Sequence, residues 1–340
     1  MTSNLPPTRP QECALEIIED VYRCKIPIPN NPLDYVMSYL IKSRNGCTII
    51  DVGWDTPESL SAWEKQLGQL GLSLQDIRQV VITHLHPDHY GLAGKLRQIS
   101  GAQIVMSAPE AEQLGARYEN YHRLLEEVAE FLLRNGVPSE EVPALQSASL
   151  PALEWVVTAR PDRVVEEGDV LEAGPLRLQV LYTPGHTRGH MCLYAAQERL
   201  LFSGDHVLPT ITPNVSLNPQ SSANPLGDYL KALGRIEELE VNLVLPAHEF
   251  AFSNLAERVR EIQEHHRRRL EEILGLLGGE AKTAYTVACR VNWDTGPWET
   301  LSNWNRRAAV METLAHLEYL RSEGKVASLN STEQVLYHRA

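Results

Sequence analysis

Between Thr83 and Tyr90 the chain reads His84-Leu85-His86-Pro87-Asp88-His89, four metal-capable side chains within six residues, directly after the apolar run Val80-Val81-Ile82. In an extended chain, residues two apart point to the same side, so His84 and His86 send their imidazoles one way. Pro87 then bends the backbone and lets Asp88 and His89 aim a carboxylate and a third imidazole at a neighbouring position. One cluster at the end of a buried strand can therefore serve two ions. Imidazole and carboxylate suit Zn, Fe or Mn, and no cysteine lies nearby to build the closed thiolate cage of a structural zinc.

The surrounding pattern supplies such strands. Leu15 to Ile28 reads as one edge strand ending in Pro27 and Pro29, and Tyr35 to Ser43 and Cys47 to Val52 read as a hairpin around Arg44-Asn45-Gly46. Pro57 to Leu70 has the spacing of an amphipathic helix, Gly91 to Ile99 is helical, and Gln103 to Met106 is a further strand. This alternation predicts an α/β layered fold. Residues 109–160 interrupt it with an insert, within which Ala116 to Asn135 reads as one helix stopped at Gly136, a core cover or a lid. Beyond it, Leu176 to Tyr182 runs into His186, Arg199 to Phe202 into Asp205, and Leu243 to Leu245 into His248, each strand delivering one candidate ligand at its C-terminal end. His190, at the start of the strand Met191 to Tyr194, reads as a packing or hydrogen-bonding histidine.

With these residues in place, the chain resembles the metallo-β-lactamase fold superfamily over Leu15 to Phe252: Asp51, then His84/His86/Asp88/His89, then His186, Asp205 and His248 stand where that superfamily has its five motifs. The resemblance implies an αββα four-layer sandwich with a dinuclear centre at one edge. It implies that His84, His86 and His186 hold one ion, that Asp88, His89 and His248 hold the other, and that Asp205 bridges them, with Asp51 a buried support. Two divalent ions, zinc first, would then share a hydroxide that attacks an electrophilic carbonyl or phosphoryl centre. Asp88 is the candidate to orient that nucleophile and carry a proton. His206, directly after the bridging aspartate, is the candidate for substrate contact or for holding the centre from behind.

Which bond is cut is narrowed by departures from the relatives. Enzymes of β-lactamase activity lack the aspartate that Asp205 supplies, the related lactonases have a tyrosine where Leu208 stands, and flavodiiron proteins have a glutamate where His86 stands. Glyoxalase II shares the seven-ligand set, but its Arg/Lys cluster for the glutathione carboxylates is not found in the C-terminal part. The expected substrate is a thioester or ester of a small acyl group, with a nuclease or a lactonase as the alternatives. A net charge of −13 argues against a general polyanion binder. The five cysteines are scattered, Met1 to Pro10 has no signal-like pattern, and no apolar run reaches membrane-spanning length, so a cytoplasmic protein is expected.

After residue 253 the pattern changes. A long helix from Asn254 to Leu277, a short one near Thr283 to Val291, a third from Asn305 to Glu323, and two β runs, Val326 to Leu329 and Gln334 to His338, form a winged-helix-like order that resembles the tail of the lactamase-like 2 proteins. The predicted division is thus a catalytic domain over 1–253 and a helical, winged-helix-like domain over 254–340. Arg306, Arg307, Arg321 and Lys325 are offset by Glu312, Glu318 and Glu323, so the module reads as a packing or homodimer element shaping the substrate entrance, not as a nucleic-acid reader.

Overall fold

The computed structural model describes residues 13–29, 31–331 and 333–340; the Pro-rich start, Met1 to Pro10, lies outside them. Two sheets form its centre. Strands β1 (Leu15–Ile18), β2 (Val21–Pro27), β3 (Tyr35–Ser43), β4 (Gly46–Ile50), β5 (Ile77–Val81), β6 (Gln103–Ser107) and β7 (Arg163–Val165) lie side by side in sequence order. The second sheet has the order β12 (Leu243–Pro246), β11 (Leu200–Gly204), β10 (Met191–Ala195), β9 (Leu176–Tyr182), β8 (Val170–Ala173). β4 to β7 are parallel, as are β11 and β12, so their C-terminal ends emerge together at one edge.

Three apolar layers follow from the alternation of these strands. Tyr39, Ile41, Ile50, Val81 and Val105 of the first sheet meet Leu178, Val180, Leu193, Phe202 and Leu245 of the second. The outer face of the first sheet packs on α1 (Pro57–Gln69), α2 (Pro87–Tyr90), α3 (Ala93–Ser100) and α4 (Ala108–Leu114), with Trp63, Leu67, Tyr90, Leu96 and Leu114 buried there. The intervening segments of the insert are α5 (Tyr121–Arg134), α6 (Val142–Gln146) and α7 (Leu150–Leu153). The outer face of the second sheet packs on α8 (Pro225–Glu237) and the first half of α9 (Leu255–Leu277), through Leu226, Leu233, Val259 and Ile262. This is the expected αββα sandwich. The helices α10 (Ala284–Ala288) and α11 (Asn303–Ser322) and the hairpin β13 (Val326–Asn330) and β14 (Val335–Arg339) follow in the predicted order.

Several elements differ from the sequence reading. The single edge strand is two antiparallel strands, reversed at Asp20, which takes the left-handed φ of 61°. The helix Ala116 to Asn135 is broken: a π-turn spans Gly115–Glu119, Asn120 leaves helical geometry, and α5 starts at Tyr121. α8 and β8 were not foreseen.

The insert is not a loose flap. Val128 and Leu132 of α5 and Val142 and Leu145 of α6 are buried with Ile273, Leu277, Val310, Leu314 and Leu317 from the C-terminal helices in one apolar core. At its far end the insert is pinned by stacking of Trp155 on Trp54, ring centroids 4.1 Å apart, and by the Asp55 amide donating to the Trp155 carbonyl at 2.8 Å. Leu132→Ala should therefore destabilise the protein by about 2–5 kcal/mol. Hydrogen exchange should show α5 and α11 losing protection together; loss confined to α5 would mean that the insert moves independently.

Candidate metal centre

The strand ends bring together all seven residues singled out as ligands. β5 runs into Thr83-His84, β9 into the loop carrying His186, β11 into Asp205 and β12 into His248. Two tight approaches fix these turns. Gly204 has φ +50°, and a Cβ there would lie 2.6 Å from Nε2 of His190. Gly185, at φ +133°, would meet Cβ of Tyr229 at 2.4 Å. Neither position has room for a side chain.

Two ligand groups result, His84/His86/His186/Asp205 and Asp88/His89/His248, with donor atoms within 4.8 Å of one another inside each group. Nδ1 of His86 lies 2.9 Å from Nε2 of His84 and 2.9 Å from Nε2 of His186. Asp205 faces both groups: Oδ2 is 3.6 Å from His186 Nε2, whereas Oδ1 is 3.5 Å from Nε2 of His89 and 3.5 Å from Nε2 of His248. Asp88 Oδ2 closes the second group, 3.3 Å from His248 Nε2 and 3.6 Å from His89 Nε2. His89 Nε2 and Asp205 Oδ1 are buried without a hydrogen-bond partner. Converging imidazole lone pairs and an orphaned carboxylate oxygen are a donor set that a divalent cation satisfies, so the residues fit the metal.

The far sides of four of the five imidazoles are held. Asp51 accepts from His89 Nδ1 at 2.7 Å and from the Thr83 amide at 2.9 Å and hydroxyl at 2.8 Å. The Thr83 hydroxyl also lies 3.1 Å from His84 Nδ1, while His186 Nδ1 donates to the Asn214 carbonyl at 2.8 Å and His248 Nδ1 to the Tyr35 carbonyl at 3.2 Å. These contacts fix the tautomers and ring planes. Asn214 is in turn tied to α11, its amide donating to Glu312 at 3.2 Å.

Electrostatics divide the two groups. Burial, then the neighbouring imidazoles of His89 and His86, hold His84 well below the usual histidine range; burial, then His186 and the Arg117 guanidinium, do the same to His86. Both are neutral and ready to ligate. Burial also works against charge on His248 and His89, but the carboxylates of Asp205 and Asp88, with Asp51 beside His89, outweigh it; His248 is raised to about 10 and His89 well above the usual range.

His190 makes hydrogen bonds throughout: its Nε2 accepts from the Asp205 amide at 3.1 Å, which leaves Nδ1–H to donate to the Thr183 hydroxyl at 2.7 Å. The substrate-contact reading of His206 is corrected. Its ring is fully buried, packed edge-on against Tyr229 with centroids 4.9 Å apart, and burial lowers its pKa to about 3. Asp205 and His206 lie in the turn after β11, and the His206 ring sits behind the centre beside His190, centroids 5.9 Å apart, sealed from the solvent side. Glu110 was missed. Its carboxylate is buried beneath the site and accepts from the Leu85 amide at 2.7 Å and the Gly189 amide at 2.8 Å, joining the loop of His84 and His86 to the loop of His186.

Residues 31–248 match the sequence model of the Metallo-beta-lactamase superfamily. The chain belongs to that superfamily. As a superfamily member it is similar to a metallo-beta-lactamase family protein from Thermus thermophilus, whose crystal structure is 32% identical and superposes with a TM-score of 0.82 over 96% of this chain and 100% of that one. A beta-lactamase domain protein from Burkholderia ambifaria is 27% identical, with a TM-score of 0.77 over 98% and 97% of the two chains. The probable metallo-hydrolase YqjP of Bacillus subtilis is 26% identical over 315 residues, 91% of this chain and 95% of its own length. Human acyl-coenzyme A thioesterase MBLAC2 is 30% identical over 191 residues, 55% of this chain and 60% of its own length. This superfamily member is a metallo-hydrolase.

Two expectations follow. Glu110→Ala leaves two buried amides without acceptors; it should destabilise the fold by roughly 2 kcal/mol or more and weaken metal binding on the order of tenfold, read by denaturant unfolding and chelator competition. With a pKa of about 10, His248 is protonated at pH 7 before metal binds. Loading must displace that proton, so the calorimetric enthalpy of metal binding should vary with the ionisation enthalpy of the buffer, and affinity should rise with pH; a buffer-independent enthalpy would contradict this.

Proposed function

We propose that the protein is a dinuclear metal-dependent hydrolase, with zinc as its ion, that cleaves thioesters or related esters of a small acyl substrate in the cytoplasm. The carrying observation is the division of the Asp205 carboxylate, one oxygen toward His186 and the other toward His89 and His248. Ions bound there supply Lewis acidity and a water acidified toward neutral pH.

The chain's own groups do the rest. Asp88 is the most exposed of the three carboxylates around the centre, 18% against 11% for Asp205 and 2% for Asp51, so it is the one that meets the attacking water and the leaving group. It can take the proton of that water and return it to the departing sulfur or oxygen as the acyl–heteroatom bond breaks.

An apolar rim suits the acyl half. Phe250, 50% exposed, follows His248 by two residues; Leu33, 37% exposed, precedes Tyr35, whose carbonyl holds His248; Ile211, 40% exposed, donates its amide to Glu249 at 3.2 Å. Thioester cleavage is favoured by the similarity to MBLAC2, a named acyl-coenzyme A thioesterase. Residues 1–253 would form the catalytic domain, and the winged-helix-like residues 254–340, with the insert 109–160, its wall.

Elemental analysis of fully loaded protein should give about two ions per chain, and Asp205→Ala should lose both; one ion per chain with Asp88 and His89 unliganded would sink the dinuclear reading. Asp88→Asn preserves size but removes basicity, so kcat on the cleaved acyl ester should fall on the order of a hundredfold. Near-normal kcat with both ions bound would leave Asp88 as a ligand only.

A further inference from the structure

The braced ligand imidazoles differ in where their braces come from. Asp51, behind His89, directly follows β4; Thr83, beside His84, follows β5; and Tyr35, whose carbonyl holds His248, opens β3. All three belong to the first sheet. His186 is the exception. Its Nδ1 donates at 2.8 Å to the carbonyl of Asn214, which lies in the long connection between β11 and α8, where no helix or strand intervenes.

That connection is fastened to the tail. The Asn214 side-chain amide donates to the Glu312 carboxylate at 3.2 Å, and the Leu217 amide donates to the carbonyl of the adjacent Met311 at 3.0 Å. The Asn214 side-chain oxygen accepts from the Ser216 hydroxyl, which closes the turn between them. Val215 is fully buried beneath α8 with Leu226 and Tyr229, so the segment is gripped by the sandwich on one side and by one turn of α11 on the other. Among the described residues Glu312 forms no ion pair, and what its carboxylate accepts is this amide. Its neighbours Val310, Met311 and Leu314 are buried in the core that α11 shares with the insert, which keeps the turn in place.

A histidine ring turns easily about its last side-chain bond, and a hydrogen bond at Nδ1 is what aims the Nε2 lone pair. We infer that Glu312 is a positioning residue for the first ion: through Asn214 it holds His186 in its ligating orientation, so the C-terminal module completes a metal site to which it gives no ligand. This rests on the dinuclear reading above. The second group, braced by Asp51 and Tyr35, is independent of the tail.

The test uses full-length protein and chelator competition. Glu312→Ala should weaken one of the two ions by about three- to tenfold, less than loss of a direct partner of a ligand would, and leave the other unchanged. The visible absorption of the cobalt-substituted protein should shift with it. Glu312→Gln keeps an acceptor oxygen and should keep most of the affinity. Asn214→Asp sets two carboxylates face to face and should weaken the same ion; adding Glu312→Gln, whose amide can donate to the introduced carboxylate, should restore it. In a His186→Ala background, Glu312→Ala should leave the affinity of the remaining ion unchanged.

Unchanged affinities and cobalt spectrum in Glu312→Ala, equal loss from both ions, or a loss that persists in the His186→Ala background overturns the inference. Should Glu312→Ala fail to fold, the Asn214→Asp pair decides: recovery on adding Glu312→Gln upholds the relay, and no recovery overturns it. Elemental analysis of the unmodified protein tests the dinuclear reading separately. If it finds one ion, that reading falls, and the same cycle on that ion decides the relay: losses from His186→Ala and Glu312→Ala that do not add uphold it, and additive or absent losses overturn it.

Discussion

Seven candidate ligands converge in a largely buried space, and three carboxylates in the same place, Asp51, Asp88 and Asp205, would repel one another if left alone. The buried Asp51 contact is what makes the arrangement tenable. At the end of β4, with a left-handed φ of 56°, it turns its carboxylate across to β5, accepts from Thr83 and from His89, and so locks together the two strand ends that carry the metal motif. Glu110 repeats the device one layer further out, clamping the amides of Leu85 and Gly189. A buried carboxylate with several donors tolerates its desolvation, and the donors lose their freedom in exchange. The loops of the centre are therefore stiff although the only regular structure in them is the single turn of α2.

The sheets themselves meet at this edge. The Tyr39 hydroxyl donates to the Pro246 carbonyl at 2.7 Å, the Met37 amide to Ala247 at 2.6 Å, and the Met191 amide to the Thr83 carbonyl at 3.1 Å. Backbone groups that would otherwise be stranded at strand ends are paired between sheets, and the pairing sets the separation of the ligand groups each sheet contributes.

Much of this was legible in the sequence because it depends on local spacing. A strand followed by His-x-His-x-Asp-His, and three further strands each ending in a ligand, place the centre without knowledge of long-range contacts. What was not legible depends on contacts between distant segments. Tyr118 is drawn to Leu85, and the helix that periodicity predicts from Ala116 breaks at Asn120 to allow it. Glu110 stands three residues after Ser107, the spacing of a capping box, so its local signal points to a helix start and hides its bond to Leu85. The turn at Asp20 contains no glycine to betray its left-handed backbone. α8 did carry a signal, Asn224 capping at 3.1 Å with Pro225 in the first turn, but no metal motif drew attention to it. His206 is sealed behind the centre beside His190 and not open to substrate, a depth that its adjacency to Asp205 in the sequence does not reveal.

The helix α9 has 23 residues, about 34 Å at the α-helical rise. Val259 and Ile262 are buried in the sandwich, whereas Ile273 and Leu277 are buried with the insert and the tail helices. A single rigid rod thus belongs to two cores. For gene fusion, circular permutation or exchange of tails between relatives, the junction between residues 253 and 254 can mark a division of roles without being a place to cut. A cut there would strip one flank of the sandwich and expose its apolar residues, whereas the Gly278-Gly279 stop after the rod would still sever it from α10 and α11, whose core also holds α5 and α6. Tail, rod and insert are mechanically one block, and a recombinant protein that keeps any one of them needs the other two to close its core.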